Sequence, residues 1–572
     1  MEPAHRALMP AARPHWLLRA APALTLAAFL LPIAAGLVGT LLPAFGWLPA
    51  LGSERLSLQA WQALWATPGL DTALWLTLGT GWAATVLSLA LAAGTVAALH
   101  HRPAAQRLGM WIAPALAMPH SALAIGLAFV LLPSGWIVRW VSPGLTGWTL
   151  PPDVGTVGHA SGWPVVLALV LKEVPYLVLM MLGALNQIPA QAQVRAARVL
   201  GYGPAQAWLA GVLPQVLAQV RLPVMAVLAF SLSVVDVAMI LGPGNPPTLA
   251  VLVVRWLGDP DPRWLFPAAA AATLLLVLVI TSLLAWRALE ALLRAALARW
   301  ATSGARQPRV AWAAGAAAAG AVGLGVLAAA AVVSMGLWSL ATQWRWPAVW
   351  PAGFTADHWL RQAGSLAGPA RTTLLLALAA TALALVLVLA CLEHESQSRR
   401  AAPRGLALLY LPLLVPQVAF LFGLQVLLVR LQLDGRFAAV LWAHLVFVLP
   451  YVYLSLADAW RGYDERYTRS ALALGASRWR VFWRIKLPIL LPPVLISAAV
   501  GFAVSAGQYL PTLMAGAGRV ATLTTEAVTL SSGADRRVIG TWALLQAAFP
   551  LLVYGLAVAG PGLSRRIRRG RR

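Results

Sequence analysis

Three charged residues lie where charge is costly. Lys172, Glu173 and Asp236 all fall inside long apolar stretches of the chain. A charge at a bilayer centre costs at least ~2.5–3.5 kcal/mol on insertion scales, so each needs a reason to be there. Lys172 and Glu173 are adjacent, and adjacent residues do not face one another on a helix, so they take different partners or one of them faces water. Asp236 closes the stretch Ser231-Leu-Ser-Val-Val-Asp236, after the apolar run 222–230 and just before Gly242-Pro-Gly244. The matching stretch of the second half carries Ser505, Gln508 and Tyr509. Such groups can contact a polar cargo or form a gate; they can equally hold helices together by hydrogen bonds. His444, Tyr451 and Tyr453 are weaker candidates on the same ground. Catalysis finds no support. There is no Gly-x-x-x-x-Gly-Lys-Ser/Thr for phosphates and no His-Glu-x-x-His for zinc. The segment 158–162 is not a nucleophile elbow. Cys391 is the single cysteine, so no cysteine metal cluster exists. No catalytic residue, metal site or cofactor is assigned to the chain.

The elements that position these residues are membrane spans. Of 572 residues, 60% are apolar and 10% charged, with a mean hydropathy of +0.76. A soluble domain carries about 25% charge. A crossing helix needs about 20 mainly apolar residues. Twelve segments qualify: 20–45, 73–99, 108–133, 163–185, 222–243, 266–286, 310–341, 372–392, 405–429, 437–457, 487–514 and 538–563. The first is longer than a signal-peptide core and is read as a retained span. The net charge is +24. With the N-terminus inside, 29 basic residues lie on the inner side and 12 on the outer. Basic loops stay cytoplasmic, so both termini are expected in the cytoplasm of a multi-pass inner-membrane protein. The arginine tail 565–572 reads as a topology anchor beside anionic lipid rather than a nucleic-acid site. The longest loops are 186–221 and 458–486 inside, and 134–162 and 342–371 outside, none long enough for a sizeable soluble domain.

The chain repeats itself. Arg195 and Arg469, Ala197 and Ala471, Leu200-Gly201 and Leu474-Gly475, and Leu213-Pro214 and Leu487-Pro488 share one offset. Gly242 and Gly516, and Thr248-Leu249 and Thr522-Leu523, continue it. Pro119 and Gly126 match Pro416 and Gly423 at a second constant spacing. The expected architecture is all-α, with two parallel six-helix repeats, 1–300 and 301–572, and a pathway near their interface. The repeated inner loop is the most informative segment. In the second copy, 464–474 reads as a helix, Gly475 as its interruption and 477–485 as a second short helix. Trp479, Phe482 and Trp483 share one side of it, and Arg478, Arg480 and Arg484 border them. Pro488 then opens the next span, where a missing amide donor is tolerated. Aromatic anchors amid arginines have the composition of a protein-docking surface. A helix lying on lipid is the plainer reading of one such loop, but two copies in parallel halves favour a two-fold partner.

This loop resembles the EAA loop of binding-protein-dependent ABC importer permeases of type I. The matching positions are Arg195-Ala196-Ala197, Gly201 and Pro214, and Arg469-Ser470-Ala471, Gly475 and Pro488. Arg195 and Arg469 stand where that family usually has Glu, and Gly203-Pro204 makes the first elbow less typical. Two halves in one chain resemble the fused permeases of thiamine and ferric-iron importers. The resemblance implies coupling helices at about 203–211 and 477–485, each docked on one of two cytoplasmic ATP-binding subunits. ATP and magnesium would be held by those subunits. It also implies a solute-binding protein outside, and a fifth span of each half that lines the pathway. Lys172, Glu173, Asp236, Gln508 and Tyr509 are then the candidate pathway residues. An acid there would suit a thiamine-, polyamine- or metal-like cation. A secondary transporter and a membrane-embedded enzyme are the rival classes. The first leaves the paired elbows unexplained, and the second lacks a reactive cluster.

Overall fold

The structure, a computed structural model, describes residues 16–100, 112, 115–307, 309–398, 408–533 and 535–569. Among these residues there is no strand beyond two isolated bridges, and the fold is all-α. In the first half, α1 is Trp16–Ala44, α2 Leu70–Leu99, α3 His120–Leu131 and α4 Trp163–Leu185. There follow α5 (Ala190–Val199), α6 (Arg221–Ser233), α7 (Asp236–Leu241), α8 (Leu249–Leu257) and α9 (Leu265–Thr302). The second half repeats the order. It has α10 (Arg309–Leu340), α11 (Asp357–Ser398), α12 (Gln417–Arg430), α13 (Phe437–Arg461) and α14 (Glu465–Ala473). It ends with α15 (Leu491–Ala506), α16 (Leu510–Gly516), α17 (Leu523–Leu530) and α18 (Arg536–Arg569).

Among the described residues nine helices are long and apolar enough to cross a membrane, and two sharply bent pairs raise that to eleven. The sequence pattern predicts twelve continuous spans, and four of them are broken. Helix in the third and ninth is interrupted at Pro119 and Pro416: short helical turns at 115–117 and Leu411–Leu414 end before them, and helix resumes at His120 and Gln417. Proline lacks an amide donor and disfavours helical geometry in the residue before it. Parts of these two spans, 108–111 and 405–407, lie outside the described residues. The fifth span breaks between Ser233 and Asp236, and the eleventh between Ala506 and Leu510. Hydropathy averaged over a span's length does not show such breaks, because the few polar residues at them are outweighed by apolar neighbours. Conversely, α9 and α11 run well past the expected 266–286 and 372–392.

The halves exchange their first helices. Helix α1 packs on α12 of the second half, and α10 packs on α3 of the first. Glycines make these crossings close. A Cβ on Gly126 would meet the Ala331 carbonyl oxygen at 2.7 Å, and one on Gly39 would meet the Gly423 Cα at 2.9 Å. The Gly423 amide donates to Thr40 Oγ1 (3.1 Å), which donates to the Gly36 carbonyl (3.0 Å). Small residues let backbones approach where lipid supplies no hydrophobic drive between helices. A second device recurs at matched positions. The Leu249 amide at the start of α8 donates to Thr77 of α2 (2.9 Å), and the Leu523 amide of α17 to Thr373 of α11 (2.9 Å). Gln546 of α18 joins the halves by donating to Ser121 of α3 (2.8 Å).

Gly423→Val tests the exchanged packing. Its Cβ would meet the Gly39 carbonyl carbon at 2.6 Å and the Thr40 amide nitrogen at 2.7 Å, both rigid backbone. Overpacking of this kind costs about 1–3 kcal/mol. A lower midpoint of thermal unfolding in detergent is expected. Gly336→Ala in α10, with nothing within 4 Å of its Cβ, should leave the midpoint unchanged or raise it slightly.

Candidate functional site

The two elbows are built alike. In the second, Asp464 caps α14 by accepting the Arg466 amide (2.9 Å). The Arg466 guanidinium beside it holds the Asp464 carboxyl below the usual carboxylate range. At the other end Gly475 has φ +82°, and the Ala476 amide donates back to the Ala471 carbonyl (3.0 Å). In the first elbow Gly201 has φ +86°, and the Tyr202 amide donates to the Ala197 carbonyl (3.2 Å). Both are left-handed glycine caps, which an L side chain adopts only at a cost. A short helix follows at Pro204–Ala207 or Arg478–Val481, then one wide π-turn at Trp208–Val212 or Phe482–Lys486. Beyond it the chain bends by 70° into α6 and by 75° into α15.

Their surfaces differ. Trp479 is 73% exposed and Leu474 88%, and Trp483, Arg478, Arg480 and Arg484 are exposed beside them. Trp483 meets Trp479 and Phe482 edge-on, at 5.4 and 5.2 Å between ring centroids. Phe482 itself turns inward against Trp460 at 6.1 Å, so the three aromatics do not form one outward face. In the first elbow Ala205, Gln206, Ala207 and Trp208 are buried, while Val199 and Leu200 are exposed. Arg195, Ala196, Arg469 and Ser470 are exposed on their helices; Ala471 is buried and Ala197 half-buried. Pro214 and Pro488 each stand second in the helical turn after the π-turn.

Lys486 fastens the second elbow to the bundle. Its ammonium lies 2.9 Å from Glu393 Oε2, 3.1 Å from Ser396 Oγ and 3.5 Å from Glu465 Oε1, over the rings of Trp460 and Tyr463. It thereby joins the ends of α11 and α13 to α14. Arg461 pairs with Glu395 nearby at 2.9 Å. In the first half the fastening is Arg221, forked onto Glu290 of α9 at 2.9–3.1 Å.

The helix breaks meet at the interface of the halves around a cavity of about 70 Å³. It is lined by His120, Ser233, Asp236, Gln417, Gln508 and Tyr509, among others. Ligand pockets span ≈300–1,000 Å³, so this space holds no sizeable solute. Asp236 is the carboxylate on the wall, held by the backbone amides of Val237 and Asp236 and facing His120. Glu173 stands behind His120, with Oε1 3.6 Å from its Nε2. The His120 ring packs on Phe230 at 4.8 Å. The Tyr509 hydroxyl donates to Met239 Sδ (3.6 Å). Among the described residues no three His, Cys, Asp or Glu side chains converge as metal ligands.

Lys172 has a different place from the one the sequence suggests. Its ammonium donates to the carbonyls of Ala115 and Leu116 (2.9 Å each) and Met118, which the break at Pro119 leaves without helical donors. It therefore mends a broken span and does not line the cavity. His444 is structural too. It links Ser505 and Thr512, on the two sides of the second break, at 2.8 Å each. Tyr453 accepts from Arg461 (2.9 Å) at the elbow end. His120 and Gln417, which the charge-based search misses, could have been found from the repeat, since each follows one of the matched prolines.

An all-α membrane protein with duplicated halves, two repeated elbows and a closed polar cavity between broken spans is a permease for transport. The chain belongs to the family of binding-protein-dependent transport system inner membrane components, whose model matches residues 90–295 and 396–563. It is 35% identical over 510 residues to the inner membrane ABC transporter permease protein YnjC of Escherichia coli, covering 88% of this chain and 91% of that one. It is 31% identical over 203 residues to the molybdenum transport system permease protein ModB of Mycobacterium tuberculosis, over 33% of this chain and 74% of that one. It is 28% identical over 106 residues to the spermidine/putrescine transport system permease protein PotC of Escherichia coli, over 18% of this chain and 40% of that one.

Lys486→Met should loosen the second elbow. Removing one partner leaves Glu393, 15% exposed, without its cation, at a cost of about 1–3 kcal/mol. Faster hydrogen exchange over 465–486 and a lower unfolding midpoint are expected. Glu393→Gln added to Lys486→Met should recover part of both.

Proposed function

We propose that this chain forms the translocation pathway of an ABC importer, with two cytoplasmic ATP-binding subunits docked on its elbows and a solute-binding protein on the opposite face. What carries this reading is the pair of elbows, alike in backbone and capped by left-handed glycines at matched positions. ATP and magnesium are held by the ATP-binding subunits. Both termini and both elbows face the cytoplasm, where the basic residues concentrate. The two halves, 1–300 and 301–572, each contribute one elbow and two broken spans.

The bends after the elbows explain how force reaches the pathway. An elbow displaced by nucleotide-driven closure of its ATP-binding subunit pulls on α6 or α15, whose far ends break at the cavity. Alternating access needs a two-state element biased by a ligand, and the closed cavity is one of its states. Asp236 on the wall, Glu173 behind it and Lys172 turned away favour a cationic cargo of the thiamine, polyamine or metal kind. A passing cation offsets part of the cost of a carboxylate at that depth.

Affinity purification of the full chain in mild detergent tests the class. An ATPase recovered at about two copies per chain is expected. Transport retained by the chain alone after reconstitution would instead make it a secondary transporter. Deleting 477–485, or Gly475→Pro, should leave the spans folded and abolish coupling of ATP hydrolysis to uptake; normal coupled uptake would remove the docking role. Asp236→Asn should slow cation uptake about ten-fold, as about 1.4 kcal/mol of lost attraction predicts, without releasing the ATPase. Unchanged uptake would leave Asp236 a structural group.

A further inference from the structure

The segment that joins the halves is not a free tether. Gln206 of the first elbow holds it at two backbone atoms. Gln206 Nε2 donates to the Ala305 carbonyl (2.6 Å), and the Gln307 amide donates to Gln206 Oε1 (3.0 Å). Arg306, between them, donates to the Leu200 carbonyl (2.8 Å) and lies 5.8 Å over the Tyr202 ring. That carbonyl belongs to the turn that ends α5, and a Cβ on Gly201 would meet the Arg306 guanidinium, 3.1 Å from its Nε. Gln206 is only 4% exposed and Ala205 4%, whereas Trp479, at the position matching Ala205, is 73% exposed. Arg480, matching Gln206, is exposed as well. The second elbow has no covering segment among the described residues.

We propose that residues 303–307 are a built-in part of the first elbow, which makes the two docking surfaces chemically different. The second offers a bare patch of Trp479, Trp483 and three arginines, suited to an apolar groove with an acidic rim on an ATP-binding subunit. The first offers Val199 and Leu200 beside Arg195 and Arg198, with Arg306 of the linker added next to the Leu200 carbonyl and no exposed tryptophan among the described residues. This rests on the docking role assigned to the elbows above. Two identical ATP-binding subunits would then be held unequally. Tryptophan and arginine dominate binding energy at protein interfaces, so the second elbow is the stronger anchor.

The clasp is tested on the isolated full-length chain. Gln206→Ala should speed hydrogen exchange over 303–307 about ten-fold, since two hydrogen bonds to the segment are lost. Unchanged exchange would overturn the clasp whatever partner the chain has. The inequality is tested with the ATP-binding subunit that co-purifies, by cross-linking from Val199→Cys in the first elbow and Ala473→Cys in the second, both in a Cys391→Ser background. Arg306→Ala should lower the cross-link at position 199 at least about five-fold and leave that at 473, and Trp479→Ala should do the reverse, as interface anchors of roughly 1 kcal/mol or more predict. Equal effects of either substitution at both elbows would overturn the proposal. No cross-link at either elbow would instead overturn the docking role itself.

Discussion

In hydrocarbon every backbone amide and carbonyl must find its partner inside the protein, and this constraint governs where the chain can break. Four of its spans are broken, and side chains repair the breaks. Lys172 takes the carbonyls freed before Pro119, and His444 ties Ser505 to Thr512 across the second-half break. Thr77 and Thr373 accept the first amides of α8 and α17. The breaks converge between the halves, where polar groups line a small cavity away from lipid. A permease needs irregular backbone at that depth, and the interface is where the bilayer tolerates it.

The exchange of α1 and α10 binds the halves into one body. Glycines at 36, 39, 126 and 423 give contacts so close that neither half presents a finished surface alone. The fastenings at the elbows are unlike: a lysine among carboxylates and aromatic rings in the second, and an arginine–glutamate fork in the first. Duplication preserved the backbone path while the side chains holding it diverged.

Much of this was legible in the residues. Among the described residues the apolar runs gave the nine long helices and located the two bent pairs, because lipid selects composition over about 20 residues and leaves a strong signal. The repeat gave the elbows, since Gly201 and Gly475 occupy positions only a left-handed cap explains. The acids gave half of the cavity. Its other half was less visible: His120 and Gln417 look ordinary in sequence and matter because two proline breaks bring them together.

The sequence by itself determined the all-helical membrane architecture, the duplication and the elbows, since each rests on local composition or spacing. Only the tertiary structure decided that α1 and α10 cross into the opposite halves and that Lys172 serves a broken backbone while Asp236 faces a cavity. The hold of Gln206 on the linker was likewise decided there. These are contacts between residues 50 to 400 positions apart, set by which surfaces meet when the bundle closes, and no periodicity along the chain encodes them.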